Sequence, residues 1–482
     1  MYHPTLDEVR QLRKHGNLVP IYREIWADLE TPVSAYLKIA RGNYSFLLES
    51  VEGGERLARY SFMGTEPSLI LKTGNENPVD PLLLIEKEFS QFHLVPIAGL
   101  PRFHGGMVGY LGYEVSCYFE NLPSPDYDPL GLPESMLMLA DTLLVFDHLT
   151  HKIKVVSHTH LDGDVEAAYL EATQKIDRLV DRLEHPVCSE TSRSTLSVGS
   201  IVSSNFSQTE FEAVVSQVKE YIYAGDIIQA VLSQRLARPT HASPFAIYRA
   251  LRSINPSPYM YYLHLGDFYI AGASPELLVR VEDGMVSNHP IAGTRSRGKD
   301  ALEDIALEEE LRNDEKERAE HIMLVDLGRN DIGRISEPGT VEVTQLMDVE
   351  RYSHVIHLVS HVQGRLRAGV SQFDALRSCF PAGTVSGAPK IRAMEIIAEL
   401  EREKRGPYAG AVGYFDFSGN MDTAIAIRTI IIKNNIAYIQ AGAGIVADSI
   451  PEREYQESLA KAQALLTAID QAEADQYAFT NR

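Results

Sequence analysis

The sequence predicts an α+β fold with mixed or antiparallel sheets. Short runs rich in β-branched and aromatic residues recur from end to end, and such residues fit a pleated, half-buried surface. Helical patterns fall between them irregularly, without the strand–helix–strand rhythm of a parallel sheet. At 482 residues, 44% hydrophobic and 23% charged, the chain has enough material for two to three average domains or one large body.

In chain order, the runs "YSFLLES", "LARYSFMG", "DTLLVFDH" and "KIKVVSH" read as strands, and a helix over 165–183 closes a first domain, residues 1–183. The Ser- and Thr-rich stretch from Glu184 to Asn205 reads as a linker or long loop. Residues 206–482 form the second domain. It opens with a capping box, Ser207 with Glu210, and a helical apolar repeat through Phe211, Val215 and Val218 that Gly225 ends. "IIQAVLSQRLA", "MYYLHLG", "FYIAGASP", "ELLVRVEDG", "VIHLVSHVQG", "AGAVGYFDF", "TAIAIRTIII" and "IAYIQAGAGIV" follow as strands. Pro451 suits the first turn of a last helix.

A net charge of −21 repels phosphate backbones and anionic membranes, which argues against nucleic acid and membrane partners. Cys117, Cys188 and Cys379 are isolated, so neither a zinc ribbon nor a disulfide framework is expected. The start has no apolar signal core and no apolar run reaches spanning length, so a cytoplasmic protein is expected.

Two acidic pairs stand out. In "EKERAEHIMLVDLGRND", Glu317 and Glu320 share a helix face one turn apart, beside apolar residues. In "PEREYQESLAKAQALL", Glu454 and Glu457 repeat the device, with Lys461 one turn on. A single pair of this kind is usually solvated surface charge. Two pairs at the edge of apolar segments suggest carboxylates joined by a cation, and Mg²⁺ takes few carboxylates plus waters and substrate oxygens. "FPAGTVSGAPKIRAMEII" reads as a Gly-rich loop entering a helix near Ser386, whose amides suit an anion; it lacks P-loop spacing. His354, His357 and His361 read as lying on an alternating strand, so a three-histidine metal site is not expected, while His357 suits proton transfer. Arg428 is a cation in an apolar strand; a substrate carboxylate and an internal salt bridge are equally good partners for it.

Together these segments resemble the chorismate-utilising enzymes. The resemblance rests on "NPSPYMYYL", "GASPELLVR", "HPIAGTRSRG", "DEKERAEHIMLVDLGRND", "HVIHLVS", "PAGTVSGAPKIRAMEII", "YAGAVGYFDFSGNMDTAIAIRT" and "QAGAGIVADSIPEREYQES", and thinly on "SFLLES" and "RYSFMG". It implies a large two-sheet, mostly antiparallel β-sandwich core flanked by helices. It implies Mg²⁺ held by Glu320 and Glu457, with Glu317 and Glu454 holding its waters. It places Arg428 and Tyr408 on the enolpyruvyl carboxylate of chorismate. The backbone of Gly442, Ala443 and Gly444, with Thr384 and Lys461, completes the anion pocket, and Gly293 and Thr294 lie beside the ring. Glu276 is implied as general acid, although a structural role at a strand end is equally open, and His357 as the group that assists loss of the ring proton.

Two positions choose a branch. Relatives that add water carry a Lys base where this sequence has Gln229, and an amide has no basic lone pair. Relatives that make 4-amino-4-deoxychorismate carry a nucleophilic Lys where this one has Ala292. The branch left joins ammonia to chorismate and releases anthranilate and pyruvate; aminodeoxychorismate synthesis is the alternative. None of the three cysteines sits in a glutaminase-type elbow, so ammonia is expected from a separate glutamine amidotransferase subunit in a hetero-oligomer. The resemblance also implies an inhibitory L-tryptophan pocket at Glu49, Ser50, Pro258, Tyr259 and Met260.

Overall fold

A computed structural model of the chain describes residues 1–50, 59–74, 76–186, 201–351 and 355–480, without the side chains of Thr294 and of residues 475–480. Among these residues, thirteen strands form one sheet and ten form a second. Every pairing between the strands is antiparallel. The two sequence halves meet inside both sheets. In the larger one, Tyr44–Glu49 pairs with Tyr259–Leu265, which sets Met260 opposite Glu49. In the smaller one, Gly106–Leu111 pairs with Ala411–Asp416.

The order of layers is helices, large sheet, small sheet, helices. Phe46, Val108, Tyr110, Met138, Tyr261 and Val412 pack between the sheets. Leu47 turns instead to the outer face of the large sheet, against Tyr36, Ile176, Tyr248 and Leu465 of its helices. Met107 does the same on the small sheet, against Leu82, Val325 and Leu376. Neighbouring residues on a strand face opposite ways, so strands covered on both faces read as continuous apolar runs. Each large side chain buried this way stabilises the fold by about 1.5–3 kcal/mol.

The helix Gln208–Tyr223 starts at the expected capping box, and Gly225 follows it with φ +85°. Asp314 caps Glu315–Gly333 through the amides of Lys316 and Glu317, and the last helix runs Pro451–Thr480. Two expectations change. The run around Arg428 is not one strand: Met421–Ile425 belongs to the small sheet and Thr429–Lys433 to the large one. Arg428, at φ +51°, turns the chain between them. The helix expected near Ser386 starts at Lys390, after Pro389. The backbone of Gly387 and Ala388 is engaged in pairing with Gln229 and Ala230, so no helix can begin there. The Ser-rich stretch falls largely outside the described residues, as does His354. Among the described residues, no helix is long and apolar enough to cross a membrane.

Candidate active site

Glu317 and Glu454 lie in the first turns of two helices, where the helix dipole favours negative charge, and Glu320 and Glu457 follow one turn further on. Glu317 accepts a hydrogen bond from Arg295 (3.2 Å). Burial nevertheless raises its carboxyl above the usual range, and neighbouring Glu320 adds to the rise. Glu320 accepts from the side-chain amide of Gln229 at 3.1 Å. On the other helix, burial raises Glu454, and Glu457 adds to it. Glu454 also senses the charge of Lys316 on the first helix, which brings the two helix ends into one neighbourhood. Glu457 pairs with Lys461 at 2.8 Å.

Lys461 reaches further, donating to the carbonyl of Gly442 at 3.0 Å. Gly442, Ala443 and Gly444 stand opposite Ser233, Leu232 and Val231 on the neighbouring strand. Ala443 is fully buried in an apolar cluster with Leu232, so only its backbone faces the site. The two glycines face the other way. A Cβ on Gly442 would lie 2.9 Å from the Tyr408 hydroxyl, and one on Gly444 would lie 2.7 Å from the Gln229 amide nitrogen. The glycine strand thus touches both Tyr408 and the amide that holds Glu320.

Arg428 donates to the backbone carbonyl of Lys461 at 2.8 Å. Burial lowers its pKa, while Tyr408 and Glu457 oppose the shift. The internal salt bridge that the sequence left open is absent: among the described residues no carboxylate lies within 4.0 Å of its guanidinium. Its left-handed backbone is costly for a side-chain-bearing residue and is held by the surrounding sheets.

Glu276 is 8% exposed and accepts from the Thr384 hydroxyl at 2.9 Å. Burial pushes its carboxyl up to about 8, against the Thr384 hydrogen bond and the charge of Lys461. His357 is held by the Gly293 carbonyl, 2.9 Å from its Nδ1. That bond fixes the proton on Nδ1 and puts the basic lone pair on Nε2. Burial lowers its pKa, and Arg428 lowers it further. Gly293, at φ +69°, also abuts the first helix, where a Cβ would lie 3.2 Å from the Glu317 carboxylate. Thr294 pairs with His357 through its backbone; its side chain is outside the described residues. One connected path therefore runs from His357 through Gly293 to Glu317, and another from Glu320 through Gln229, Gly444 and Gly442 to Lys461, Glu457 and Arg428.

The donor set fits a hard cation. All four carboxylates offer oxygen donors, and burial beside a like charge raises Glu317 and Glu454, a penalty that a cation would relieve. As placed, the carboxylates are turned to Arg295, Gln229 and Lys461, and among the described residues no three acidic, His or Cys side chains are grouped closely enough to hold a metal. The sequence missed Arg295 and the contact of Gln229 with Glu320; the latter spans 91 positions, beyond any local signal.

A cavity of about 100 Å³ lies where the two halves pair. Glu49, Ser50, Pro258, Tyr259 and Met260 line it, with Phe62, Tyr414, Arg280 and Asp422, which sequence reasoning did not single out. The Glu49 carboxylate already accepts from Tyr248 and from Arg252 (3.1 and 3.3 Å). Arg280 donates to Asp422 and to the Tyr259 hydroxyl, both at 2.9 Å, and that hydroxyl donates to Asp422 at 3.1 Å.

Residues 44–467 match the family described as chorismate binding enzyme. Anthranilate synthase component 1 of Acetivibrio thermocellus is 51% identical, over 98% of this chain and 99% of its own length. The Aquifex aeolicus protein of the same name is 47% identical, over 98% and 99%. The solved structure of anthranilate synthase component I from Streptococcus pneumoniae superposes with a TM-score of 0.77 at 40% identity, covering 92% of this chain and 98% of that one. The menaquinone-specific isochorismate synthase of Escherichia coli shares the fold at 19% identity, with a TM-score of 0.70 and coverage of 96% and 98%. On these grounds the chain belongs to the chorismate binding enzyme family.

Proposed function

We propose that the chain catalyses the Mg²⁺-dependent conversion of chorismate and ammonia to anthranilate and pyruvate, the reaction of anthranilate synthase. The observation that carries this reading is Arg428, a partly buried cation whose described partner is a backbone carbonyl, beside Lys461 and the Tyr408 hydroxyl. That arrangement suits a substrate carboxylate. The branch follows from Gln229, whose amide is engaged with Glu320 and cannot activate water, and from the methyl group of Ala292, which cannot act as a nucleophile.

Glu320 and Glu457 would hold Mg²⁺, with Glu317 and Glu454 on its waters. Bound there, the cation would supply positive charge to offset the ring carboxylate and to draw electron density from the ring. Arg428 and Tyr408 hold the enolpyruvyl carboxylate. Glu276 keeps its proton at neutral pH because it is buried, and passes it to the departing C4 hydroxyl as ammonia attacks C2. His357, neutral and oriented by Gly293, takes the ring proton on Nε2 as pyruvate leaves. Ammonia comes from a glutamine amidotransferase subunit. L-Tryptophan in the cavity at Glu49, Ser50, Pro258, Tyr259 and Met260 lowers the rate.

The test is anthranilate fluorescence with chorismate, Mg²⁺ and ammonium, with the product mass measured alongside. Anthranilate should form, chelation should stop it, and added Mg²⁺ should restore it. Glu320→Gln should lower turnover by about a hundredfold or more with an unchanged circular dichroism spectrum. Wild-type turnover in that variant would refute the metal assignment, and a product with the mass of aminodeoxychorismate would reassign the branch.

A further inference from the structure

Glu276 and Thr384 also form part of the wall of another cavity, of about 40 Å³. Of the groups assigned to the substrate, only Glu276 and Thr384 border it; Arg428, Tyr408, Lys461, Gly442 and His357 do not line it. The rest of its polar wall is Asn288, His289 and Asp331. Asn288 is 9% exposed, and its Oδ1 has no hydrogen-bond partner among the described residues. A buried carbonyl oxygen without a donor is costly, and such groups are normally satisfied by protein or by bound water. The Asn288 amide is wedged against the helix Glu315–Gly333, where a Cβ on Gly328 would lie 2.7 Å from its Nδ2. Asp331 bonds Lys390 at 2.7 Å, and that ammonium also bonds the Cys379 carbonyl at 3.2 Å. The space exceeds the roughly 10–15 Å³ that one water needs, and it offers the two or more polar partners that fix one.

We infer that this cavity holds ordered water that returns protons to Glu276, and that Asn288 is the positioning residue that anchors it. The inference rests on the role proposed for Glu276. In each turnover the acid gives one proton to the C4 hydroxyl, the C4–O bond breaks, and water leaves. Glu276 is then a carboxylate in a buried place. The ammonium formed by attack at C2 loses one proton to solution, so the balance closes when one proton comes back to Glu276. Thr384 satisfies one carboxyl oxygen but holds no spare proton. The groups facing Glu276 are Thr384, Lys461 and, across the cavity, His289 and Asp331. Burial keeps His289 neutral, and water joined to the Asn288 oxygen completes a path that no side chain provides.

The experiment compares Asn288→Leu and Asn288→Ser with wild type in the full chain, with chorismate, Mg²⁺ and ammonium, in H₂O and in D₂O. Asn288→Leu should lower kcat by about tenfold with an unchanged KM for chorismate, and its solvent isotope effect on kcat should rise. Asn288→Ser, which keeps a hydroxyl and frees room for another water, should recover most of the loss. A high-resolution crystal structure of the wild type should show water within hydrogen-bond distance of both Asn288 Oδ1 and the Glu276 carboxyl. A dry cavity, or a folded Asn288→Leu with wild-type kcat and isotope effect, overturns the inference. If Asn288→Leu does not fold, the serine variant and the crystal structure decide. A wild type that forms no anthranilate sinks the proposed function instead, and the water sites are judged separately.

Discussion

Gly442 and Gly444 lie two apart on one strand and face the same side, yet alanine should act differently at each. At Gly442 the new methyl would meet the backbone oxygen of Leu232 at 2.4 Å, and that oxygen is held by its sheet. At Gly444 it would meet the end of the Gln229 side chain, which can turn away. Gly442→Ala should therefore cost about 1–3 kcal/mol of stability, read as a lower melting temperature. Gly444→Ala should melt close to wild type but lose turnover about tenfold, because Glu320 loses its amide donor. Equal melting of the two variants would contradict this division. At this scale the sequence exposes whatever is encoded within a turn or two: the acidic pairs, the capping box at Ser207, and the amide at 229. It does not expose the φ of +51° at Arg428. Left-handed backbone is usually signalled by Gly or Asn, and a run of apolar residues around an arginine reads as one strand.

The strands Leu277–Glu282 and Met421–Ile425 link the two cavities. Glu276 precedes the first directly, and the second leads into the turn at Arg428. Arg280 on the first and Asp422 on the second close a partly buried triad with Tyr259, whose strand belongs to the other sheet. A ligand in the larger cavity would press on this triad and so on the strands that place the acid and the cation. Coupling requires different affinities in two states, and the triad is a polar contact that joins the two sheets beside the cavity. Tyr259→Phe keeps the ring wall and the Arg280–Asp422 pair but removes the hydroxyl between them. It should raise the tryptophan concentration for half-inhibition about fivefold or more, a larger factor than any change in uninhibited rate. Wild-type inhibition in that variant would remove the triad from the route. The first strand was legible as an apolar run of the right length, while the second was hidden in a run that continues through Arg428 into Thr429–Lys433. Strand neighbours were not legible: nothing local in "SFLLES" says that it pairs with "YMYYL", since partner choice in a sheet is set by the whole core.

Across the molecule, the sheets are also tied by a buried polar knot. His158 belongs to the large sheet, and His104 lies just ahead of the Gly106–Leu111 strand of the small one. Their rings stack 5.4 Å apart at 17°, with His104 Nδ1 3.2 Å from His158 Nε2. Asp416, the Asp141 carbonyl and the Phe417 ring face the pair, and His160 stands near. Burial lowers the two imidazoles from 6.5 to about 4 and about 3. Below pH 6.5 the unfolded chain takes up protons that the folded one refuses, so the pair's contribution to stability is lost as pH falls toward about 3. Buried Asp416, Glu114 and Glu276 act in the opposite sense. They are raised to about 7, 7 and 8, so the folded chain binds their protons first and gains stability as pH falls toward the unfolded carboxyl range. A raw acid-denaturation curve mixes the two, and a difference separates them. The stability advantage of wild type over a His104→Gln, His158→Gln double variant should shrink below pH 6.5, by up to about 1.4 kcal/mol per pH unit for each imidazole. Urea denaturation at several pH values measures it. A difference that stays flat between about pH 7 and pH 4 would mean that the imidazoles take up their protons in the folded chain as readily as in the unfolded one, and the knot would then be no acid-sensitive tie between the sheets.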